Sequence, residues 1–282
     1  GGFVGGVLCA GLSCVDMQLV GASEPPSREA MGTFSKCVVR GGGATCNAAS
    51  ALRTLGVGAA VLSQAGRDAH GVELEAQLAA EGVDTSCLEL GEGVSTSLAV
   101  LPVYAAGGRG CWVDLSANDL LRPESALATL AAPAADAMRA GCRALHVGYP
   151  HLLRGLQGAD LAAFLAGAAP LLGRGAPLVS LDINGATLGA RSDGDGVLAP
   201  SLPLVDLLHA NLEEACHVVG HAPPDANAPP SSEWLHRTIA APLLAAGVAV
   251  VAVTLGEGGV YVAVTDDKAR LRRAAGGAAG GA

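Results

Sequence analysis

Residues 41–66, GGGATCNAASALRTLGVGAAVLSQAG, combine three features that a small-molecule site uses. A β-prone run (Cys37, Val38, Val39) leads into Gly41, Gly42 and Gly43. These open directly into an alanine-rich helical pattern with Asn47 in its first turn. Glycine lacks a Cβ, so its backbone can approach a ligand closely. The free N–H groups of a helix start suit polar or anionic groups, and Asn47 adds an amide at the junction. The same turn also reads as a plain tight connection, or as a dinucleotide fingerprint beginning at Gly41 and Gly43. The fingerprint fits poorly, because Cys46 holds its third glycine position and the next acid, Asp68, lies too far along. A nicotinamide-dependent oxidoreductase would rest on that turn alone.

Other polar residues recur where apolar runs end. Asp16 closes the run 7–15. Asp182 and Asn184 close PLVSLDIN. Asn211 and Glu214 follow LVDLLHA, and Thr254 and Gly256 follow VAVVAV. Open parallel sheets bind ligands outside the carboxyl ends of their strands. Each residue taken singly is equally a cap or turn residue, but recurrence at successive strand ends argues for one polar rim. Glu213 and His217 share a helix face at i, i+4, with His209 on the preceding strand. No further ligand accompanies them, so no metal site is expected there.

The elements that must position these groups follow from periodicity. Strands are expected at 7–15, 59–65, 143–148, 177–183, 204–210, 248–254 and 259–265. Shorter β-like runs at 17–23 and 33–40 flank the polar turn at residues 24–27. A hairpin is expected from 96–104 and 110–115. Helices are expected at 45–55, 70–81, 123–140, 157–172, 211–219 and 232–246. The α/β alternation from residue 123 predicts a mainly parallel sheet with helices on both faces. The early hairpins do not fit that sheet and are expected to form a small separate β element. The tail 273–282 is low in complexity and is expected to be disordered.

Composition excludes several classes. The net charge is −9 with no basic stripe, which argues against nucleic acid as the main partner. The 8 cysteines are scattered with no CxxC pair, which suits small buried hydrophobes in a reducing compartment. No apolar run reaches the roughly 18 residues of a membrane span, so no membrane partner is expected. The chain starts at Gly1 without a basic-flanked signal segment. A cytoplasmic location is expected, or an organellar one if a leader is missing.

Four pieces, in order, resemble the ribokinase-like (PfkB) carbohydrate kinases. They are Asp16 after the first strand, GGATCNAASALRTLGVGAAVLSQAG from Gly42, Asn211-Leu212-Glu213-Glu214, and Val253-Thr254-Leu255-Gly256-Glu257-Gly258-Gly259. The resemblance implies a Rossmann-like three-layer α/β domain over residues 1–282, with a small β lid formed by about 17–40 and 95–116. It implies transfer of the ATP γ-phosphoryl group to a hydroxyl of a sugar or nucleoside, with Mg²⁺. Asp16, Gly42, Gly43 and Asn47 would bind substrate. Asn184, Asn211, Thr254, Gly256 and Gly259 would border the nucleotide, and Glu214 would hold Mg²⁺. A homodimer through the lid is expected. Two departures stand out. Thr45 replaces a usually small residue, and the family's Gly-Ala-Gly-Asp segment, expected after the strand 259–265, is absent. That segment supplies the anion hole and the catalytic base, so the base is expected beyond Ala282, in a missing C-terminal part, and turnover is expected to be impaired. Asp266 and Asp267 read as turn residues, with no helix after them. The alternative is a non-catalytic sugar- or nucleotide-binding module of the same fold. The scarcity of aromatics (3 Phe, 3 Tyr, 2 Trp) favours a sugar over a nucleoside.

Overall fold

A computed structural model describes residues 6–24, 29–173, 177–184, 196–225 and 229–274. In chain order its elements are β1 (Gly6–Gly11), β2 (Cys14–Ala22), β3 (Lys36–Gly42), α1 (Gly43–Thr54), β4 (Ala59–Gly66), α2 (Ala69–Ala80), β5 (Asp84–Gly91), β6 (Leu98–Tyr104) and β7 (Trp112–Asp114). There follow α3 (Pro123–Ala131), α4 (Asp136–Gly141), β8 (Cys142–Gly148), α5 (Ala159–Ala168), β9 (Leu178–Asp182), β10 (Leu207–Asn211) and α6 (Leu212–Val218). The last are α7 (Ser232–Leu235), a π-helical turn (His236–Ala240), α8 (Ala241–Ala245), β11 (Val250–Thr254), β12 (Val260–Val264) and α9 (Lys268–Ala274).

The main sheet has the order β12-β11-β10-β9-β8-β1-β4-β5. Every neighbouring pair is parallel except β11–β12. The carboxyl ends of seven strands therefore share one rim. The winding reverses between β1 and β8, where a doubly wound sheet opens its crevice. Strand side chains alternate between faces, and the core divides accordingly. Leu8, Leu145, Leu181, Leu208 and Val251 pack with Leu130, Phe164, Cys216 and Leu243 on one face. Cys9 and Val61 pack with Cys46, Ala49, Leu74 and Leu78 of α1 and α2 on the other. All 8 cysteines are free, and only Cys37 and Cys111 are exposed. Among the described residues no helix is long and apolar enough to cross a membrane.

A second, four-stranded sheet has the order β3-β2-β6-β7. The unbroken apolar run 7–15 predicts one strand, but the structure splits it. β1 stays in the main sheet, and after Leu12 and Ser13 the chain enters the second as β2. Buried polar contacts fix the break. Asn118, fully buried, accepts from the Ser13 amide at 3.0 Å and donates to the Ser13 carbonyl and Ser97 Oγ at 2.7 Å. Ser63 Oγ donates to the Gly11 carbonyl at 2.7 Å, and Thr45 Oγ1 to the Leu12 carbonyl at 3.0 Å. Buried polar groups persist when they are satisfied in this way.

Three further expectations are corrected. Residues 84–91 form the edge strand β5, which their weak alternation did not reveal. The helix expected at 123–140 is interrupted at Ala132 and Pro133, because proline lacks the N–H that would continue it. Residues 268–274 form α9, so a helix does follow Asp266 and Asp267. Residues 275–282 of the low-complexity tail lie outside the described residues.

Asp68 ties the second sheet to α2. Its carboxylate caps the helix by accepting from the Gly71 amide at 2.9 Å, and also accepts from the Thr96 amide at 2.8 Å and hydroxyl at 2.6 Å. Burial pushes its pKa up, but the Thr96 and Gly71 bonds, with His70 nearby, outweigh that and bring it from 3.8 to about 2. A pKa depressed on folding stabilises above the unfolded value, and the contribution is lost as pH falls from 3.8 towards about 2. Asp68→Ala is expected to cost about 1 kcal/mol at neutral pH and to flatten the loss of melting temperature across that acid window. Thermal melts from neutral to acid pH would check both.

Candidate functional site

The glycine turn sets the geometry at the crevice. Gly42 ends β3 and caps α1. A Cβ on it would lie 2.2 Å from the Asp16 carboxylate, so its absence admits that side chain beside the helix start. Gly43 has φ +80, and a Cβ there would lie 2.6 Å from the Leu12 carbonyl. Only glycine takes that conformation without cost, and it lets the Thr45 amide bond Leu12 at 3.0 Å. The helix start is thereby docked over the carboxyl end of β1. A Cβ on Gly148, at the end of β8, would lie 2.1 Å from Ala44 Cβ, so α1 also rests on the neighbouring strand end.

Asp16 is half-buried and accepts from the Cys14 thiol at 3.3 Å. Burial, then Asp16, pushes the Cys14 pKa upward, so this thiol stays a neutral donor. Asn47 is exposed on the first turns of α1. Thr45 is fully buried and its hydroxyl is committed to Leu12 and Ser13. It serves the strand break rather than an open pocket.

The second group of residues lies on the same rim. Asn211 and Thr254 are register partners at the ends of β10 and β11. Asp182 pairs with Gly148, which in turn pairs with Gly11 at the end of β1. Asn211 and Glu214 form a reciprocal cap. Glu214 N–H donates to Asn211 Oδ1, and Asn211 N–H to Glu214 Oε2, both at 2.9 Å. Glu214 Oε1 makes no hydrogen bond among the described residues. Burial raises the Glu214 pKa, the Asn211 amide lowers it, and the Asp182 charge raises it again, leaving it above the ordinary value. His209 Nδ1 sits 2.5 Å from Asp182 Oδ1, a bond that raises the His209 pKa. Gly256 and Gly259 are exposed in the turn between β11 and β12. Among the described residues no group of three or more His, Cys, Asp or Glu could hold a metal by itself.

Tyr149 escaped sequence reasoning. It follows β8 at the winding reversal with φ 61, the one positive φ outside glycine among the described residues. Such a conformation persists where surrounding contacts enforce it. Its N–H bonds the Asp182 carbonyl at 2.9 Å, and its hydroxyl bonds Asn184. Burial raises its pKa. The sequence signal would have been a Gly-Tyr-Pro turn at a strand end.

Asp266 and Asp267 are elsewhere. β12 starts level with Thr254 and ends level with Val250, so it carries the chain from the carboxyl rim to the amino rim. There Asp267 Oδ1 accepts from the amides of Ala269 and Arg270 and caps α9. A cleft of 440 Å³ opens beyond the carboxyl end of β4, between β6–β7 and the start of α2, lined by Asp68, His70, Leu98, Val100 and Trp112. It includes none of Asp16, Asn47, Asn211 and Glu214.

Residues 6–142 match the family described as pfkB family carbohydrate kinase. Solved structures share the fold over nearly the whole chain. A ribokinase from Arabidopsis thaliana, complexed with ribose and ATP, is 17% identical with TM-score 0.68, over 94% of this chain and 76% of that one. A ribokinase from Giardia lamblia is 16% identical with TM-score 0.71, over 93% and 74%. An uncharacterized sugar kinase from Pyrococcus horikoshii in complex with ATP is 19% identical with TM-score 0.62, over 92% and 74%. At such identities these likenesses speak for the fold. No curated protein matches the chain.

Proposed function

We propose that this chain, ribokinase-like in fold and matched over residues 6–142 by the pfkB carbohydrate kinase family, transfers the γ-phosphoryl group of ATP to a hydroxyl of a sugar. One observation carries the reading: Asp16, beside the start of α1, and the Asn211–Glu214 cap stand on a single rim on either side of the winding reversal. Asp16 accepts hydrogen bonds from the sugar hydroxyls, which a carboxylate does strongly because it only accepts. Gly42, Gly43 and Asn47 line the same pocket, and the second sheet acts as its lid. Asn184, held by Tyr149, and Asn211 face the nucleotide phosphates. Thr254, Gly256 and Gly259 border the nucleotide.

Mg²⁺ fits the residues present. Among the described residues Glu214 keeps one carboxylate oxygen free, and burial, with the Asp182 charge adding to it, disfavours its ionised form, a cost that a hard cation would offset. Bound with the nucleotide, it supplies charge neutralisation for phosphoryl transfer. Glu214 would hold it, and its cap with Asn211 fixes the carboxylate in place.

A second reading, a non-catalytic sugar- or nucleotide-binding module of the same fold, is favoured by the position of Asp266 and Asp267 on the amino rim, remote from Asp16. A coupled ADP-release assay with ribose, fructose and adenosine separates the two. Sugar-dependent ADP release, reduced about tenfold or more in Glu214→Gln by loss of a charged contact, supports transfer. Binding by calorimetry without release supports the module. Neither binding nor release would end both readings.

A further inference from the structure

The main sheet ends in two edge strands, β5 and β12. A sheet edge presents a row of N–H and C=O groups that invites another strand, and charges, prolines, bulges or a short length normally guard it. β5 carries Asp84 and Glu89. The second sheet is guarded in the same way. Its edge strand β3 carries Lys36 and Arg40, and its other edge, β7, is 3 residues long. β12 differs from all of these. Its sequence is Val-Tyr-Val-Ala-Val, without a charge or a proline, and its register with β11 runs without a shift.

That register shows which groups the edge offers. The Leu255 amide donates to the Gly259 carbonyl at 2.8 Å, and the Thr265 amide to the Ala249 carbonyl at 2.9 Å. Bonded and unbonded residues alternate along an antiparallel ladder, so Tyr261 and Ala263 also turn their backbone groups towards β11. Val260, Val262 and Val264 turn theirs outward, and among the described residues no strand lies on that side. Their side chains are open as well, with exposures of 58%, 53% and 53%.

We infer that β12 is the contact between two copies of this chain, joined edge to edge and antiparallel about a two-fold axis at Val262. In that register Val262 faces its own copy, and Val260 faces Val264 of the partner subunit. Directly opposed residues of a hydrogen-bonded pair exchange both bonds. Every outward N–H and C=O group of the three valines is then satisfied, and the valine side chains meet in cross-strand pairs. A patch that meets itself in this way is self-complementary, as a two-fold interface requires. Because the other edges are charged or short, growth stops at two copies. A contact confined to one strand falls below the roughly 1,000 Å² of a stable interface, so the dimer is weak and forms in the upper micromolar range. The inference is independent of the phosphoryl-transfer reading.

Sedimentation equilibrium of the whole chain tests this, in moderate salt that screens Glu257 and Asp266 at the two ends of the strand. The wild-type chain is expected to pass from monomer to dimer as concentration rises. Val262→Lys and Val262→Glu each set like charges opposite one another across the axis, and each is expected to weaken association about tenfold or more. Val262 is exposed, so thermal melts of both variants are expected to match the wild type. An equal mixture of the two variants is the decisive arm. It sets the introduced lysine opposite the introduced glutamate and is expected to restore the dimer, which follows only if position 262 meets itself. Val39→Lys, at an exposed position of the second sheet, is expected to leave association unchanged. A chain that stays monomeric at millimolar concentration overturns the inference. So does a dimer that ignores both Val262 variants, or a mixture that fails to restore it. Loss of the dimer in Val39→Lys alone moves the contact to the second sheet, and growth beyond two copies overturns the two-fold closure.

Discussion

Asp16→Asn is expected to weaken sugar binding about 100-fold and leave ATP affinity unchanged. Hydrogen bonds to a charged acceptor are worth about 1.5–3 kcal/mol each. An amide keeps one acceptor oxygen but presents donors where the second stood. Two sugar hydroxyls bound to the carboxylate thus lose about 3 kcal/mol, or about two powers of ten. The fold has little stake in the change. Asp16 is half-buried, its one side-chain partner among the described residues is the Cys14 thiol at 3.3 Å, and an asparagine oxygen can still accept that bond. Stability is expected to shift by no more than about 0.5 kcal/mol. Parallel titrations with sugar and ATP, with a thermal melt, decide the matter. Unchanged sugar affinity would remove Asp16 from the site.

The largest effect on stability is expected from Arg270→Met. Arg270 and Asp206 form an ion pair with side-chain exposures of 9% and 5%. Arg270 also donates to the carbonyls of Val205 and of Gly247, the latter at 3.1 Å. Asp206 Oδ2 accepts from the Val179 amide at 2.7 Å, where β9 begins. Removing the guanidinium strands a buried carboxylate, which costs about 3–5 kcal/mol. In a domain of this size that is roughly a 10 °C fall in melting temperature. Arg270→Met combined with Asp206→Asn is expected to recover about half, because asparagine still accepts from Val179 without a charge to bury. If the double variant melts no higher than the single one, the buried charge is not what Arg270 neutralises.

How much of this was legible in the sequence depended on whether the signal was local. Gly43 and the alanine pattern after it announce a helix start, because chain geometry there is a property of those residues themselves. The strand ends bearing Asp182, Asn211 and Thr254 were legible for the same reason. The break at Leu12 and Ser13 was not, since apolar residues run through it and the force that bends the chain comes from Asn118, 105 residues from Ser13. Asn118 has no periodic partner that would single it out. The pairing of Arg270 with Asp206 spans 64 residues, and nothing near either one points to the other. Tyr149 has a conformation that its residue type disfavours, so propensity argued against the very turn it makes. β5 is hard to read because Asp84 disfavours a strand and Ser86 marks one poorly, and it is the pairing with β4 that makes these residues one. The amino-rim position of Asp266 and Asp267 needed the antiparallel register of β12, which composition cannot supply.

The crevice is shaped by atoms that are not there. At Gly42, Gly43 and Gly148 the smallest possible side-chain increment already collides with Asp16, Leu12 and Ala44 respectively. A conventional alanine scan, meant to subtract, would therefore act as an insertion across this region, and its most damaging hits would fall on residues that touch no ligand through a side chain. Read without that inversion, such a scan would mistake the mould for the contents.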